Sequence, residues 1–285
     1  MDNKKLFYFT QYAKYAYSIY GKGPPVLLLH GFTGKGSTWK QLVNVLKSNW
    51  KVIVLDLPGH GETLVEKPRS MTQFCSDLSQ FLSFLQVEKI HLVGYSLGGR
   101  TALSFAMLYP NRILSLILES ASPGLEKEEE RIDRKKYDYQ LAKTIEQNGI
   151  SYFVHFWESI PLFKSQRKLP KSIRDSIRKE RLSHTEEGLA QSLRYMGTGS
   201  QPSWWDQLEK LDVPVQLITG DQDKKFVHIN HEMKKLLPNV TMQEVKNTGH
   251  CVHVEQPNTF NTIVIDFLHK IESGGTLNDS SMEKG

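Results

Sequence analysis

The chain has 285 residues, 39% of them hydrophobic, and a formal net charge of +5, which suits one full core carrying an insertion. Lys and Arg are interspersed with Asp and Glu, which argues against a dedicated nucleic-acid surface and fits a small anionic ligand. Cys75 and Cys251 cannot build a disulfide framework, the opening MDNKKLFYFT lacks the apolar run of a signal peptide, and no apolar run approaches the ~20 residues of a membrane span. A cytoplasmic protein without a membrane span is expected.

In chain order, alternating apolar and polar residues from Leu6 to Tyr20, broken by Gly21, Gly23, Pro24 and Pro25, predict an N-terminal hairpin. Short apolar runs follow at Val26 to Leu29, Val52 to Leu55, Ile90 to Val93, Ile113 to Leu118 and Val215 to Ile218, with helical patterns between them. Strands alternating with helices predict βαβ units and a mostly parallel sheet. Met71, Phe74, Leu78, Phe81, Leu82 and Leu85 follow helical spacing, and LGGRTALSFAMLYP reads as a buried helix stopped by Pro110. From about Pro123 to Ser203 the alternation fails. That stretch is charged, rich in helix formers and without a convincing strand, so a helical insertion over 123–203 is expected between core segments 1–122 and 204–272. Within it, residues 164–181 are crowded with Lys and Arg, opposed only by Asp175 and Glu180. A final amphipathic helix is expected after Asn258, and the polar tail over 273–285 reads as disordered.

The strongest local signal is Gly94-Tyr95-Ser96-Leu97-Gly98, set between the strand HLV and the following helix. In that context G-x-S-x-G marks a nucleophile elbow, whose strained strand-to-helix turn requires small neighbours. A serine needs a base, and the chain order nucleophile, acid, histidine is met by Ser96, Asp223 and His250. Asp221 is the competing acid and reads better as a turn cap; His253 is the competing histidine. The oxyanion hole falls to the backbone N–H of Leu97 and of Phe32 in the loop HGFTG. His60, in DLPGHGET, reads as structural. There is no H-E-x-x-H, no cysteine pair at zinc spacing and no P-loop, so no metal and no cofactor are expected.

HGFTG, DLPGHG, GYSLGGR, GDQDKKF and the late GH together resemble the α/β-hydrolase superfamily over about residues 20–272. ESASPGL, the R-x-x-R run at Arg131 to Arg134, RLSHTEEGLAQSLRYMGTGSQPSWW and an arginine four residues after the nucleophile narrow this. The set resembles the 2-succinyl-6-hydroxy-2,4-cyclohexadiene-1-carboxylate synthases of menaquinone biosynthesis. The resemblance implies a lyase that eliminates pyruvate from an enolpyruvyl cyclohexene carboxylate, with the triad abstracting a proton. It also implies that Arg100, Arg134 and Arg181 bind substrate carboxylates and that Tyr95 and Trp157 lie near the site. Forked, permanently charged guanidinium groups suit such a polyanion. Arg131 remains open as the alternative to Arg134. Two other readings stand beside this one: an ester or C–C hydrolase using the same serine, and a small-molecule receptor that kept the fold without turnover.

Overall fold

The structure is a computed structural model in which residues 5–275 are described; most of the tail expected to be disordered lies outside them. The strands are β1 (Leu6–Phe9), β2 (Ala13–Tyr20), β3 (Pro25–Leu29), β4 (Lys51–Leu55), β5 (Leu64–Val65), β6 (Ile90–Tyr95), β7 (Ile113–Glu119), β8 (Val215–Gly220) and β9 (Val240–Val245). The helices are α1 (Lys40–Leu46), α2 (Met71–Phe84), α3 (Leu97–Leu108), α4 (Glu128–Ser159), α5 (Lys171–Arg181), α6 (Glu186–Met196), α7 (Lys224–Leu236), α8 (Val252–Glu255) and α9 (Pro257–Glu272). None of these helices is long and apolar enough to cross a membrane.

One sheet runs in the order β1-β2-β4-β3-β6-β7-β8-β9, with β5 paired to β2. The expected N-terminal hairpin is present as β1 and β2, and β2 joins the sheet antiparallel to β4. From β4 to β9 every pairing is parallel. Side chains along a strand point alternately to the two faces. Leu27, Leu29, Ile53, Leu55 and Leu92 therefore pack into one apolar layer with Phe74, Phe81 and Leu103 of α2 and α3. Val26, Leu28, Val52, Val54 and Val93 pack into the other with Leu42 and Leu46 of α1 and Phe260 and Val264 of α9. The runs read from sequence are continuous because both faces are covered.

The chain leaves β3 toward β4 on one side and returns to β6 on the other, so the strand order reverses between β3 and β6. At such a reversal the loops leaving the carboxyl ends of the two strands diverge and open a crevice. The pair Leu29↔Gly94 brings the loop after β3 and the elbow after β6 to one level.

Between β7 and β8 the chain forms α4, α5 and α6 and, among the described residues, no strand. Leu141, Ile145 and Phe153 of α4 pack on Leu189 and Leu193 of α6 as a separate apolar cluster. Gly149 breaks α4 at φ 80° and ψ 168°, and the Ile150 N–H that the break frees donates to Glu186 Oε1 at 3.0 Å.

The elbow depends on the absence of side chains. A Cβ on Gly98 would lie 2.1 Å from the Leu29 carbonyl oxygen, and one on Gly94 would lie 2.4 Å from the Gly98 carbonyl oxygen. Gly98→Ala is therefore expected to cost about 3 kcal/mol or more, since backbone cannot yield. Gly149→Ala, where the nearest atom is a carboxylate 3.7 Å away, is expected to cost only the strain of a backbone conformation that side chains rarely adopt, about 1–3 kcal/mol. Urea unfolding of the two variants checks the order.

Candidate active site

Ser96 sits between β6 and α3 at φ 50° and ψ −108°, a conformation that costs a non-glycine residue of order 1–3 kcal/mol. Its N–H donates to the Glu119 carbonyl oxygen at 2.9 Å, and its own carbonyl accepts from Arg100 N–H at 2.8 Å. The turn is thus held from β7 on one side and by the first turn of α3 on the other. Its side chain meets His250, which leaves the end of β9: His250 Nε2 lies 3.1 Å from Ser96 Oγ. On the far side of the ring, His250 Nδ1 lies 2.6 Å from Asp223 Oδ2. An ionised carboxylate only accepts, so Nδ1 carries the proton and Nε2 is left as the acceptor for the serine hydroxyl. Asp223 ends the loop after β8 and caps α7, its Oδ1 accepting from Phe226 N–H at 3.4 Å.

The competing residues are spent elsewhere. Asp221 accepts from Thr248 N–H at 3.3 Å. His253 Nδ1–H donates to Glu119 Oε2 at 2.8 Å and its Nε2 meets Thr38 Oγ1 at 3.1 Å. It is buried against Tyr95 and Trp39 and braces the elbow from below.

Ser96, His250, Phe32 and Leu97 line one cavity of about 180 Å³. Leu97 opens α3, so its N–H precedes the helical ladder. Among the described residues neither Leu97 N–H nor Phe32 N–H makes a hydrogen bond. The loop carrying Phe32 is fixed by three buried histidines. His30 Nδ1–H donates to Gly31 O at 2.8 Å, and its Nε2 accepts from Leu57 N–H at 3.0 Å. His60 Nδ1–H donates to Pro58 O, and its Nε2 accepts from Thr33 N–H. His184, between α5 and α6, donates from Nε2 to Thr33 O and accepts at Nδ1 from Gly61 N–H. Each ring donates once and accepts once, a pattern that only neutral imidazole provides. Burial holds His30 and His184 down to about 4 and His60 well below its ordinary value.

The cationic residues divide. Arg100 and Arg134 line the Ser96 cavity, together with Trp157. Arg100 is braced by the Met196 carbonyl at 3.1 Å and Gln201 Oε1 at 2.9 Å. Burial, assisted by Arg134, lowers it to about 10, which leaves it charged at neutral pH. Arg134 is held through Nε by Asp138 at 2.8 Å. Arg131 instead pairs with Glu128 on the outer surface, so geometry favours Arg134 of the two. Arg181 does not line the cavity. It is buried over the Phe163 ring, 4.7 Å from its centroid, with Gln166 and Glu158 as partners. Tyr95 also points away: its hydroxyl lies 2.5 Å from Cys251 Sγ, and its ring fills the space beside Gly31. Phe32 separates these two residues from Ser96, lining both the main cavity and a small one of about 50 Å³ that holds Tyr95 and Arg181.

Sequence reasoning missed several wall residues. Lys225 lines the cavity, and burial and Arg134 lower its pKa; its place two residues after the acid was the available signal. Ser120, at φ 47°, and Ser192 face the cavity with buried hydroxyls that have no hydrogen-bond partner among the described residues, as does Trp157 Nε1. Buried polar atoms left unpaired are costly, and here they line a space that a polar ligand can fill. A larger cleft of about 640 Å³ lies beyond Gly124, Leu125 and Ile229, but Glu126, Glu130, Asp206, Glu209 and Glu232 give it the wrong sign for an anion. Among the described residues no group of three or more His, Cys, Asp or Glu is placed to hold a metal.

Strand order, elbow and loop histidine define the class: a family model described as the alpha/beta hydrolase fold matches residues 24–257, and the chain belongs to that family. Within it, the chain is 47% identical over 262 residues to a protein of Bacillus subtilis named as a putative 2-succinyl-6-hydroxy-2,4-cyclohexadiene-1-carboxylate synthase, covering 90% of this chain and 95% of that one. A synthase of the same name from Photorhabdus laumondii is 30% identical, covering 87% of each chain. Among solved structures, MenH from S. aureus superposes with a TM-score of 0.87 at 36% identity, covering 90% of this chain and 98% of that one. A thermophilic esterase from Thermogutta terrifontis gives 0.83 at 27% identity, covering 94% and 99%.

The neutral histidines set a pH dependence. The unfolded chain protonates these rings near pH 6.5 while the folded state keeps them neutral. Their contribution is therefore complete above that pH and is lost as pH falls toward 4, by up to about 1.4 kcal/mol per pH unit for each proton. Thermal melting between pH 7 and pH 4.5 is expected to fall more steeply for wild type than for His184→Gln; parallel slopes would contradict the assignment.

Proposed function

We propose that this enzyme eliminates pyruvate from 2-succinyl-5-enolpyruvyl-6-hydroxy-3-cyclohexene-1-carboxylate to give 2-succinyl-6-hydroxy-2,4-cyclohexadiene-1-carboxylate, a step of menaquinone biosynthesis. The observation that carries the reading is a Ser–His–Asp relay opening into a cavity walled by Arg100, Arg134 and Lys225. The names of its relatives agree with it.

The bond changes locate the proton. The substrate has its ring double bond between positions 3 and 4, and the product has double bonds at 2 and 4. The proton therefore leaves position 2, the carbon bearing the succinyl group, as the C–O bond at position 5 breaks. That proton is α to the succinyl carbonyl, so charge gathers on the carbonyl oxygen as an enolate before it moves through the ring to expel enolpyruvate. His250 takes the Ser96 hydroxyl proton as the serine oxygen removes the ring proton, and Asp223 steadies the imidazolium. The free N–H groups of Phe32 and Leu97 are placed to receive the enolate oxygen, a service worth roughly 3 kcal/mol for each donor. The proton held on His250 then returns to the departing enolpyruvate, which becomes pyruvate, and Ser96 is restored.

In this reading residues 123–203 form a cap that closes the cavity and supplies Arg134 and Trp157. Arg100 and Arg134 bind carboxylates as forked donors. Arg181 joins by exchanging Glu158 for a substrate carboxylate when the cap shifts. Tyr95 supports the site through its ring against His250, centroids 5.4 Å apart.

A coupled assay for pyruvate release tests the assignment. Ser96→Ala and His250→Ala are each expected to lower kcat roughly a thousand-fold or more, without adding in the double variant. More than about a tenth of wild-type activity in Ser96→Ala would remove the serine from the chemistry.

Arg134→Ala is expected to lose about 10- to 100-fold in kcat/KM, the value of a charge-assisted bond, while Arg131→Ala stays near wild type. The reverse order would reassign the carboxylate site. Faster turnover of a nitrophenyl ester than of the cyclohexene substrate would favour the hydrolase reading instead.

A further inference from the structure

Glu255 ends α8, five residues after the histidine, and its side chain folds back over the loop that carries the base. Its Oε2 accepts from Gly249 N–H at 2.9 Å and its Oε1 from Cys251 N–H at 3.4 Å. These are the residues on either side of His250. Oε1 also accepts from Ser165 Oγ–H at 3.0 Å, and Ser165 belongs to the cap, between α4 and α5. The contact is close: a Cβ on Gly249 would lie 2.0 Å from Ser165 Oγ. A single carboxylate therefore holds the N–H of each residue that flanks the base and one hydroxyl of the cap.

Nothing in the reaction described above requires Glu255, and its position has a cost. It is partly buried, and burial raises its pKa against the three hydrogen bonds that favour the anion. The bonds act on the part of the molecule where angular error matters most. His250 must satisfy Asp223 at one ring nitrogen and Ser96 at the other, and its ring direction follows the backbone of residues 249–251. Asp223 fixes the ring from the side-chain end, and Glu255 fixes the same residue from the backbone end.

We infer that Glu255 is a positioning residue for the proposed elimination: it sets the direction of His250 and, through Ser165, ties that direction to the seating of the cap. The inference rests on the proposed reaction only for its assay. The geometry it describes would serve any chemistry of the Ser96–His250 pair.

The test uses the full chain with Glu255→Ala, Glu255→Gln, Ser165→Ala and the double variant Glu255→Ala/Ser165→Ala, each shown to be folded by its melting midpoint. Glu255→Ala is expected to lower kcat roughly 10- to 100-fold, as loss of an orienting partner commonly does, with KM changed less than about threefold. Glu255→Gln keeps one accepting oxygen and is expected to recover part of that loss. Ser165→Ala should act mainly on KM, and in the double variant it should add nothing to kcat, because its partner is already gone. The far-downfield proton signal of the His250–Asp223 hydrogen bond supplies a readout independent of substrate. It is expected to weaken or shift in Glu255→Ala and to survive in Ser165→Ala. A folded Glu255→Ala enzyme with kcat within twofold of wild type and an unchanged proton signal would overturn the inference. So would a loss confined to melting temperature. If pyruvate release is absent from wild type while the proton signal still depends on Glu255, the proposed reaction falls and the positioning role stands.

Discussion

The site rests on one strained residue. Ser96 is held at φ 50°, and the turn survives because its surroundings leave the backbone no other course. Gly94 and Gly98 permit approaches that any Cβ would forbid, and the Ser96 N–H is drawn across to the Glu119 carbonyl of the neighbouring strand. The side chain of the same Glu119 anchors His253 just beyond the base. The elbow and the histidine loop are thus fastened to one end of β7. From that point Ser96, His250 and the open N–H of Leu97 are positioned by close-packed backbone and short hydrogen bonds, which is how a site reaches the precision that chemistry requires.

A second constraint orders the other wall of the cavity. The reversal of strand order beside β3 delivers Phe32 to the elbow, but a loop does not hold an N–H in place unaided. Three buried neutral imidazoles do so, each joining two backbone segments, and His184 extends the same network into the helical segment. The cationic side chains of the cavity follow a similar division of labour. Arg100 is hydrogen-bonded by a carbonyl and an amide rather than by an acid, with Asp138 acting on its charge only through space. Arg134 lines the cavity with Nε committed to Asp138 and its guanidinium 5.6 Å from the centroid of the Tyr137 ring.

Much of this was legible in the sequence because it is local. Apolar runs gave the parallel strands, G-x-S-x-G between strand and helix gave Ser96, and chain order gave Asp223 and His250, which the fold brings to the same point. What remained hidden is non-local. Strand order cannot be read from runs of Val and Leu, so the adjacency of Phe32 and Ser96 came only from the fold pattern. Tyr95 and Ser96 are neighbours in sequence yet face opposite ways, since successive side chains alternate at a strand end; the tyrosine supports the site from beneath. Arg181 has the chemistry of a ligand residue, but whether an arginine of the helical insertion faces the cavity or a neighbouring acid depends on packing between helices, and here Glu158 and Gln166 engage it. His184 carries no mark in the sequence that separates a staple from a base; its partners Thr33 and Gly61 do.

Proton abstraction by Ser96 and covalent attack by Ser96 are the two chemistries this fold accommodates, and the same relay activates both. Intact-mass spectra of enzyme quenched during steady turnover of the cyclohexene substrate distinguish them directly. Proton abstraction predicts a single species at the mass of the unmodified chain while pyruvate accumulates. A populated adduct that maps to Ser96 would contradict it and place the enzyme with the acyl-transferring members of its family.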